Sequence, residues 1–212
     1  MYSKILNKNQ TEIIKKLAFL KDEGFYLAGG TALALQIGHR TSIDLDFYSL
    51  KTFNPEKILP LFNKNFKNLS VRQATTDTII LTIKGTDLSF FYYPYKLIVS
   101  LKSFESINLA SVEDITAMKL AAIVQRGKRR DFVDIFYLLK KYYLKKIIKF
   151  ALKKYPGYQE MLILKALTYF EDAQEEELER RIKIFDKNFS WEKAKEEILK
   201  KTREYQLSLI KK

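Results

Sequence analysis

Apolar residues recur along the chain with two different periods. A period of three to four residues, typical of amphipathic helices, governs residues 6–21, the segment after Asn54, and the chain beyond Ser111. Short runs that are apolar or alternate in polarity predict strands at 25–28, 43–48, 70–74, 78–84 and 88–93. The order of these elements predicts an α+β fold, with a mixed-sheet α/β lobe at 1–105 and a helical lobe at 106–212.

Two carboxylates interrupt the predicted strand at 43–48. Because successive side chains of a strand point to opposite faces, Asp44 and Asp46 share one face. The other face receives the apolar residues Ile43, Leu45 and Phe47. Neighbouring carboxylates repel each other unless a cation lies between them, and Mg²⁺ prefers oxygen ligands of this kind. The pair therefore predicts a divalent-metal site, and the alternative is an outer strand face that water solvates.

Two adjacent glycines separate the first predicted strand from the helix that follows. Gly29 and Gly30 lack side chains that would keep a phosphate away from the backbone N–H groups at the positive end of a helix dipole. Thr31 is placed either to cap that helix or to donate its hydroxyl to a phosphate oxygen. An ordinary turn is the alternative for the glycine pair. A phosphate-binding turn followed closely by two carboxylates predicts a nucleoside triphosphate bound together with Mg²⁺.

A second group of charged residues lies on two of the later predicted helices. Lys119 is a lone charge within an apolar run, and Asp131 and Asp134 share a face of the next helix because they are three positions apart. These residues offer a cation for a triphosphate and a group to orient an acceptor. The alternative is a surface ion pair between Arg130 and Asp134, with Lys119 extending to solvent.

The sequence resembles the AbiEii-type nucleotidyltransferase toxins, a branch of the polymerase-β-like nucleotidyltransferase superfamily. Four segments carry the resemblance: Gly-Gly-Thr at 29–31, Asp-Leu-Asp at 44–46, Lys-Leu-Ala-Ala at 119–122, and Arg-Asp-Phe-Val-Asp at 130–134. The Gly-His-Arg-Thr-Ser turn at 38–42 is similar as well. The resemblance implies a polymerase-β-like nucleotidyltransferase lobe followed by helices.

The resemblance also implies roles for individual residues. Asp44 and Asp46 would bind the metal. The implied nucleotide-binding residues are Gly29, Gly30, Thr31, Arg40, Lys119 and Arg130. The implied catalytic residues are Asp44, Asp46, Lys119, Asp131 and Asp134, with the choice between Asp131 and Asp134 left open.

The sequence departs from the polymerase-like pattern at one strand. Many such transferases place a third carboxylate on the strand corresponding to 88–93, but Ser89 stands at that position and Asp87 lies at the preceding turn. Either the third carboxylate is dispensable, with Asp131 or Asp134 compensating for it, or metal binding is weak.

Composition narrows the classes of partner. The 212 residues carry a formal net charge of +13, which attracts polyanions such as nucleic acid, unless it only reflects a lysine-rich surface. Seven lysines and no acidic residue occur between positions 140 and 154. The absence of cysteine excludes disulfides, thiolate metal sites and a cysteine nucleophile. With neither a signal-peptide core nor a membrane-length apolar run, we expect a soluble, cytoplasmic protein with no membrane partner.

The resemblance implies a Mg²⁺-dependent nucleotidyltransferase, the toxin of a toxin–antitoxin or phage-defence pair. It would transfer NMP from an NTP to an RNA acceptor, with tRNA as one such acceptor, and a cognate antitoxin would be its protein partner. Two alternatives stay open. One is transfer to a small molecule or a protein, and the other is a catalytically silent module that binds nucleic acid or protein.

Overall fold

The computed structural model describes residues 1–174 and 182–210, which form two compact units, Met1–Ser111 and Val112–Lys212. The first unit is built on a mixed sheet. Its strands are β1 (Phe25–Leu27), β2 (Leu45–Ser49), β3 (Leu69–Thr75), β4 (Thr78–Ile83), β5 (Thr86–Tyr92), β6 (Lys102–Phe104) and β7 (Ile107–Leu109). Its helices are α1 (Lys8–Lys15), α2 (Phe19–Asp22), α3 (Gly29–Ile37) and α4 (Pro55–Asn65).

The strand order places β2 in the middle of this sheet. The order is β3-β4-β5-β2-β1-β7-β6, in which β2 pairs antiparallel with β1 and parallel with β5. In β2, Leu45 and Phe47 are fully buried, whereas Asp46 and Tyr48 are partly exposed. The alternation that the sequence predicts therefore holds from Leu45 onward, and it turns Asp46 away from the core.

Aromatic side chains fill the core between the sheet and α4. Phe47 of β2 stacks on Phe90 of β5 with ring centroids 5.1 Å apart. Phe62 of α4 and Phe25 of β1 meet the Phe90 ring edge-on, at 5.2 Å and 5.4 Å. Offset stacks and edge-on contacts of this kind stabilise a core beyond the area that they bury. The packing fixes β2 and β5 side by side.

Two local predictions for the first unit differ from the structure, and one hairpin was not predicted. The helix predicted at 6–21 is divided into α1 and α2. Ile43 was expected in the core beside Leu45 and Phe47, but it precedes β2 and is 39% exposed. The β6–β7 hairpin was not predicted. Its turn is formed by Glu105, whose φ of 47° is left-handed, so the turn lacks the Gly or Asn that usually marks such a position.

The second unit consists of helices and the segments that connect them. Its helices are α5 (Val112–Arg126), α6 (Arg129–Leu139), α7 (Leu144–Lys154), α8 (Glu160–Leu167), α9 (Glu171–Gln174) and α10 (Trp191–Ile210). Phe132 of α6 is fully buried and lies 4.8 Å from the Phe170 ring and 6.1 Å from the Trp191 ring, measured between centroids. None of the helices in the described part of the chain is long and apolar enough to span a membrane. The predicted α+β fold, a mixed sheet followed by helices, is confirmed.

Candidate active site

The glycine turn at the start of α3 contacts the carboxylate of Asp46. Gly29 has a φ of 64°, a left-handed conformation that L side chains rarely adopt. A Cβ atom at Gly29 would also lie only 2.8 Å from Oδ2 of Asp46. The Ala28 N–H donates to the backbone oxygen of Asp46 at 2.9 Å, which ties β2 to the residue before the helix. A larger residue in place of Gly29 would therefore push the Asp46 carboxylate out of position.

The N-terminus of α3 faces this carboxylate without a capping side chain. The N-cap residue is Ala28, which has no polar side-chain atom to accept from the first N–H groups of the helix. Thr31 is not the cap and its hydroxyl hydrogen is not available to a phosphate, which corrects both of its predicted roles. Its buried hydroxyl instead donates to the backbone oxygen of Asp44. Thr31 thus fixes the chain just before β2, and the helix dipole places positive potential at the turn.

Arg40 lies behind the second glycine. A Cβ atom at Gly30 would be 2.6 Å from Nη2 of Arg40 and 3.1 Å from Oγ of Ser42. Arg40 is only 1% exposed, and its Nη1 donates to the backbone oxygen of Thr41 at 2.9 Å. The guanidinium is therefore a buried positive charge packed against the turn. Sequence reasoning named Arg40 as a phosphate contact, and the structure places its charge beside the Gly29-Gly30 pair.

Ser89 lies beside Asp46 in the sheet. The parallel register of β2 and β5 pairs Asp46 with Ser89, and both residues are partly exposed. Asp87, expected at the preceding turn, lies within β5 two positions before Ser89. Its carboxylate accepts from the Thr82 hydroxyl at 2.7 Å and pairs with Arg72 at 2.8 Å. The side chain next to Asp46 is thus the hydroxyl of Ser89. The acid on β5, Asp87, is already paired with Arg72.

The metal ligands available here are few. Asp44 and Asp46 are both partly exposed, but Asp44 lies just before β2 and not in the strand where it was predicted. Over residues 1–174 and 182–210, no group of three or more His, Cys, Asp or Glu side chains is arranged to hold a metal ion. Any cation bound by the two carboxylates would complete its coordination with water or substrate oxygens.

A buried ion cluster joins α5 and α6 in the second unit. Nζ of Lys119 lies 2.7 Å from Asp131 and 2.6 Å from Asp134, and the two aspartate side chains are fully buried. Arg126 adds a second contact to Asp131 at 3.2 Å. The alternative of a Lys119 that extends to solvent is therefore wrong, because its side chain is only 7% exposed. In the described part of the chain, Arg130 lies within ion-pair distance of no carboxylate.

The cluster shifts the ionisation of one aspartate. Burial by itself raises the pKa of Asp131, because it penalises the charged carboxylate. The positive charges of Lys119 and Arg126 and the Lys119 hydrogen bond outweigh burial, so the pKa of Asp131 lies below its ordinary value. Asp131 is thus an anion at neutral pH, held in place by two cations.

Sequence reasoning missed a second buried pair in the helical unit. Nζ of Lys154, the last residue of α7, lies 2.8 Å from Oδ1 of Asp114 in the first turn of α5, and both side chains are fully buried. The two residues are 40 positions apart. No local pattern links them, since Asp114 reads as part of a helix start and Lys154 as one lysine among many.

Known proteins resemble this chain in sequence and in fold. A family model described as the nucleotidyl transferase AbiEii toxin of type IV toxin–antitoxin systems matches residues 16–97 and 94–204. An uncharacterized protein of Aquifex aeolicus (strain VF5), aq_aa25, is 38% identical over 210 residues, which cover 94% of this chain and 97% of that protein.

Two solved structures share the fold. A candidate nucleotidyltransferase from H. pylori superposes with a TM-score of 0.58 at 20% identity, covering 96% of this chain and 94% of that one. MenT4, a nucleotidyltransferase toxin from Mycobacterium tuberculosis H37Rv, gives a TM-score of 0.50 at 13% identity, covering 91% of this chain and 80% of that one. At these identities the structural likeness establishes the fold and nothing further.

Proposed function

The chain belongs to the AbiEii family of nucleotidyl transferase toxins, and we propose that it transfers NMP from an NTP to an RNA acceptor in the presence of Mg²⁺. The family makes it a nucleotidyltransferase, while the RNA acceptor, the cation and the residue roles are the proposal. One observation carries it: the Asp46 carboxylate lies against Gly29, at the N-terminus of α3. Substrate phosphates and metal-binding oxygens would therefore meet at one place in the first unit.

The donor set beside this turn fits Mg²⁺. Mg²⁺ is commonly bound by one or two carboxylates, with substrate phosphates and retained water completing an octahedron. Asp44, just before β2, and Asp46, within β2, are both partly exposed and supply two carboxylates. When bound, the cation would neutralise triphosphate charge and lower the pKa of the acceptor hydroxyl. A third protein carboxylate at Ser89 is not required for this coordination.

The glycine turn would bind the triphosphate. Gly29 and Gly30 allow phosphate oxygens to approach the first N–H groups of α3, where the helix dipole favours negative charge. The buried guanidinium of Arg40 adds positive charge beside Gly30. Because this charge is screened less by water than a surface charge would be, it strengthens the attraction. Thr31 holds the residue before β2 and so positions Asp44 relative to the turn.

The proposal also gives a role to the buried ion cluster of the second unit, which holds Lys119 in a fixed position. Lys119 would contact the phosphates, with its ammonium orientation fixed by Asp131 and Asp134. Holding a cation in one position avoids the entropy cost of ordering it during the reaction. Arg130 is partly exposed and would supply a further phosphate contact. Because both aspartates are fully buried, their role in the proposal is to hold Lys119 in position and not to contact the acceptor.

The family also implies a protein partner. Its members are toxins of type IV toxin–antitoxin systems, so a cognate antitoxin belongs to the system of this chain. We propose that the antitoxin counters transfer to RNA.

Transfer of label tests the proposal directly. The purified protein is incubated with each NTP radiolabelled at the α-phosphate, total RNA, and Mg²⁺, with EDTA in a parallel reaction. We expect label in a product that ribonuclease destroys and protease leaves intact, and none in the EDTA reaction. Excess Mg²⁺ added back to the EDTA reaction should restore the product.

Other outcomes identify a different acceptor or refute the activity. A protease-sensitive product would indicate a protein acceptor, and label that migrates as a small molecule would indicate transfer to a metabolite or drug. Failure of a folded preparation to transfer label to RNA, protein or small molecules would contradict the proposal. Thermal melts with and without NTP and Mg²⁺ establish that the preparation is folded and binds nucleotide.

A further inference from the structure

Helix α7 has two faces of opposite character. Its apolar side chains are buried in the second unit: Leu144, Ile147, Ile148 and Ala151. The exposed side chains of the helix include four lysines: Lys145, Lys146, Lys149 and Lys153. We refer to these four residues as the lysine face.

The lysine face has no compensating acid. The chain contains neither Asp nor Glu between residues 140 and 154. Within the residues that the structure describes, no carboxylate lies within ion-pair distance of any of the four lysines. On α10, by contrast, Lys201 pairs with Glu197 at 3.7 Å and Glu204 at 3.2 Å. Charge is balanced on α10 and unbalanced on α7.

Unbalanced positive charge of this kind destabilises the helix. Lys145, Lys149 and Lys153 follow one another at intervals of four residues, and like charges at that spacing destabilise a helix. A polyanion that docks along the face would remove this repulsion. Lys145 and Lys153 are about 12 Å apart along the helix axis at 1.5 Å per residue. This distance corresponds to roughly three to four phosphates of one nucleic-acid strand.

An exposed aromatic ring stands at the start of the lysine face. Tyr143 immediately precedes α7 and is 89% exposed. Next to it, Nζ of Lys146 lies 5.0 Å from the ring centroid of Tyr142 and 5.8 Å from that of Phe150. Those two rings are partly buried and support the lysine, whereas the Tyr143 ring is accessible. Exposed aromatic rings beside basic side chains are the features with which proteins hold single-stranded nucleic acid.

We propose that the lysine face binds the sugar–phosphate backbone of the RNA acceptor and that Tyr143 stacks on one of its unpaired bases. The inference deepens the proposed function and rests on it for the identity of the polyanion as RNA. The lysine face would bind RNA independently of the nucleotide, because neither its lysines nor Tyr143 belongs to the proposed nucleotide site. It would hold the acceptor during transfer.

An anionic membrane fits this surface less well. Basic amphipathic helices bind bilayers by inserting their apolar face below the headgroups. The apolar face of α7 is buried in the protein, and Tyr143 is the large exposed side chain left beside the lysines. A single nucleic-acid strand matches the exposed groups better, because its phosphates need positive charge and its bases need an aromatic ring on which to stack.

Charge reversal on matched surfaces tests the lysine face. One variant combines Lys145→Glu, Lys146→Glu, Lys149→Glu and Lys153→Glu. The control makes the same charge change at exposed lysines of α4 and α10: Lys57→Glu, Lys64→Glu, Lys193→Glu and Lys200→Glu. Affinity for a fluorescent single-stranded RNA is measured by anisotropy at several salt concentrations without nucleotide. A Lys→Gln version of both sets covers the case in which a Glu variant does not fold.

The lysine-face variant should bind RNA at least about tenfold more weakly than the wild type, and the control should bind within about threefold. The RNA affinity of the lysine-face variant should also depend less on salt, because each lost phosphate contact removes about 0.7 from the slope of log K against log salt. Equal weakening of both variants, or wild-type affinity in the lysine-face variant, would overturn the inference. Binding of the wild type to phosphatidylserine vesicles but not to RNA would also overturn it.

Tyr143 is tested separately. Tyr143→Ala should weaken RNA binding about tenfold and Tyr143→Phe should preserve it, since stacking requires the ring and not the hydroxyl. The matched control is Tyr169→Ala, at an exposed tyrosine of the same unit. Equal affinities for Tyr143→Ala and Tyr169→Ala would refute the stacking role.

Nucleotide binding separates this inference from the proposed function. The lysine-face variant should keep the wild-type thermal stabilisation by NTP and Mg²⁺. If the wild type binds RNA through the lysine face but transfers no label to it, the proposed function fails and the inference stands. If label reaches RNA equally well in the wild type and in the lysine-face variant at limiting RNA concentration, the inference fails and the proposed function stands.

Discussion

At the scale of single residues, the requirement for glycine at position 29 comes from two sources. One is the left-handed φ of 64°, which costs a residue with a Cβ atom about 1–2 kcal/mol. The other is the contact with Asp46, whose Oδ2 would be 2.8 Å from that Cβ atom. Sequence reasoning attributed the glycine to phosphate approach. The structure adds that the glycine also leaves room for the carboxylate.

Gly29→Ala and Gly24→Ala separate these two effects. Gly24 also has a left-handed φ, of 77°, but no atom lies within 4 Å of where its Cβ would be. Both variants should lose about 1–2 kcal/mol of unfolding free energy in urea. Only Gly29→Ala should also lose nucleotidyl transfer, by about 100-fold, the effect of misplacing a reacting group by about 1 Å. Equal activities of the two variants would show that the Asp46 contact is unimportant for catalysis.

Ser89 permits a gain-of-binding prediction. Because Ser89 is paired in register with Asp46, Ser89→Asp places a third carboxylate beside the existing pair. A higher ligand charge should tighten binding of Mn²⁺, a spectroscopic substitute for Mg²⁺, by about tenfold in the absence of nucleotide. Electron paramagnetic resonance measures the free Mn²⁺. Ser70→Asp, on the exposed strand β3, is the control, and equal affinities in the two variants would place the cation elsewhere.

At the scale of elements, α5 and α6 are joined by charge as well as by apolar packing. Lys119→Met would leave Asp131 and Asp134 buried without their shared cation, which should cost about 3–5 kcal/mol of unfolding free energy. Lys154→Met is the matched control, because it strips a buried partner from Asp114 and should cost a similar amount. The two variants differ only in the role that we propose for Lys119.

Nucleotide binding distinguishes Lys119 from Lys154. At a temperature where both Met variants are folded, isothermal titration with NTP and Mg²⁺ should show normal affinity for Lys154→Met and a large loss for Lys119→Met. Equal affinities would mean that Lys119 serves the stability of the helical unit and not the substrate.

The α5–α6 cluster also makes stability depend on pH. The folded-state pKa of Asp131 is depressed, so the carboxylate stabilises the folded protein fully above its unfolded pKa, near the reference value of 3.8. That contribution is lost as the pH falls through the depressed folded value. Between pH 5 and pH 3, the unfolding free energy should therefore fall more steeply for the wild type than for Asp131→Asn, as measured by urea denaturation. Parallel pH profiles would contradict the pKa shift.

At the scale of the whole molecule, the fold was predictable wherever the hydrophobic period was long and regular. The strands β3, β4 and β5 and the helices α4 to α6 follow from the apolar runs and the helical spacing. The predicted burial of Ile43 was wrong because a strand pattern does not reveal where the backbone leaves the sheet. The β6–β7 hairpin was not predicted because each of its strands has three residues, too few to show a period.

The candidate site was predictable only in part. The residue types and their order pointed to Gly29 and Asp46, because a sequence can show which groups follow each other along a strand and a turn. Contacts between distant segments could not be read from it. The packing of Arg40 behind Gly30 depends on how a turn folds back, and the Asp114–Lys154 pair spans 40 positions. Family membership was predictable because the motifs lie in short, local segments.

One comparison tests the central claim most directly: label transfer from an NTP to RNA by the wild type, Asp46→Asn and Asp87→Asn. Both substitutions keep the shape of the side chain and remove one charge, and Asp87 pairs instead with Arg72 near the surface. Loss of a metal-binding charge costs several kcal/mol of transition-state stabilisation, at 1.36 kcal/mol per tenfold in rate. We therefore predict that Asp46→Asn transfers more than about 100-fold more slowly than the wild type and that Asp87→Asn stays within about threefold of it. Transfer by Asp46→Asn at the rate of Asp87→Asn would contradict the assignment of this turn and strand as the active site.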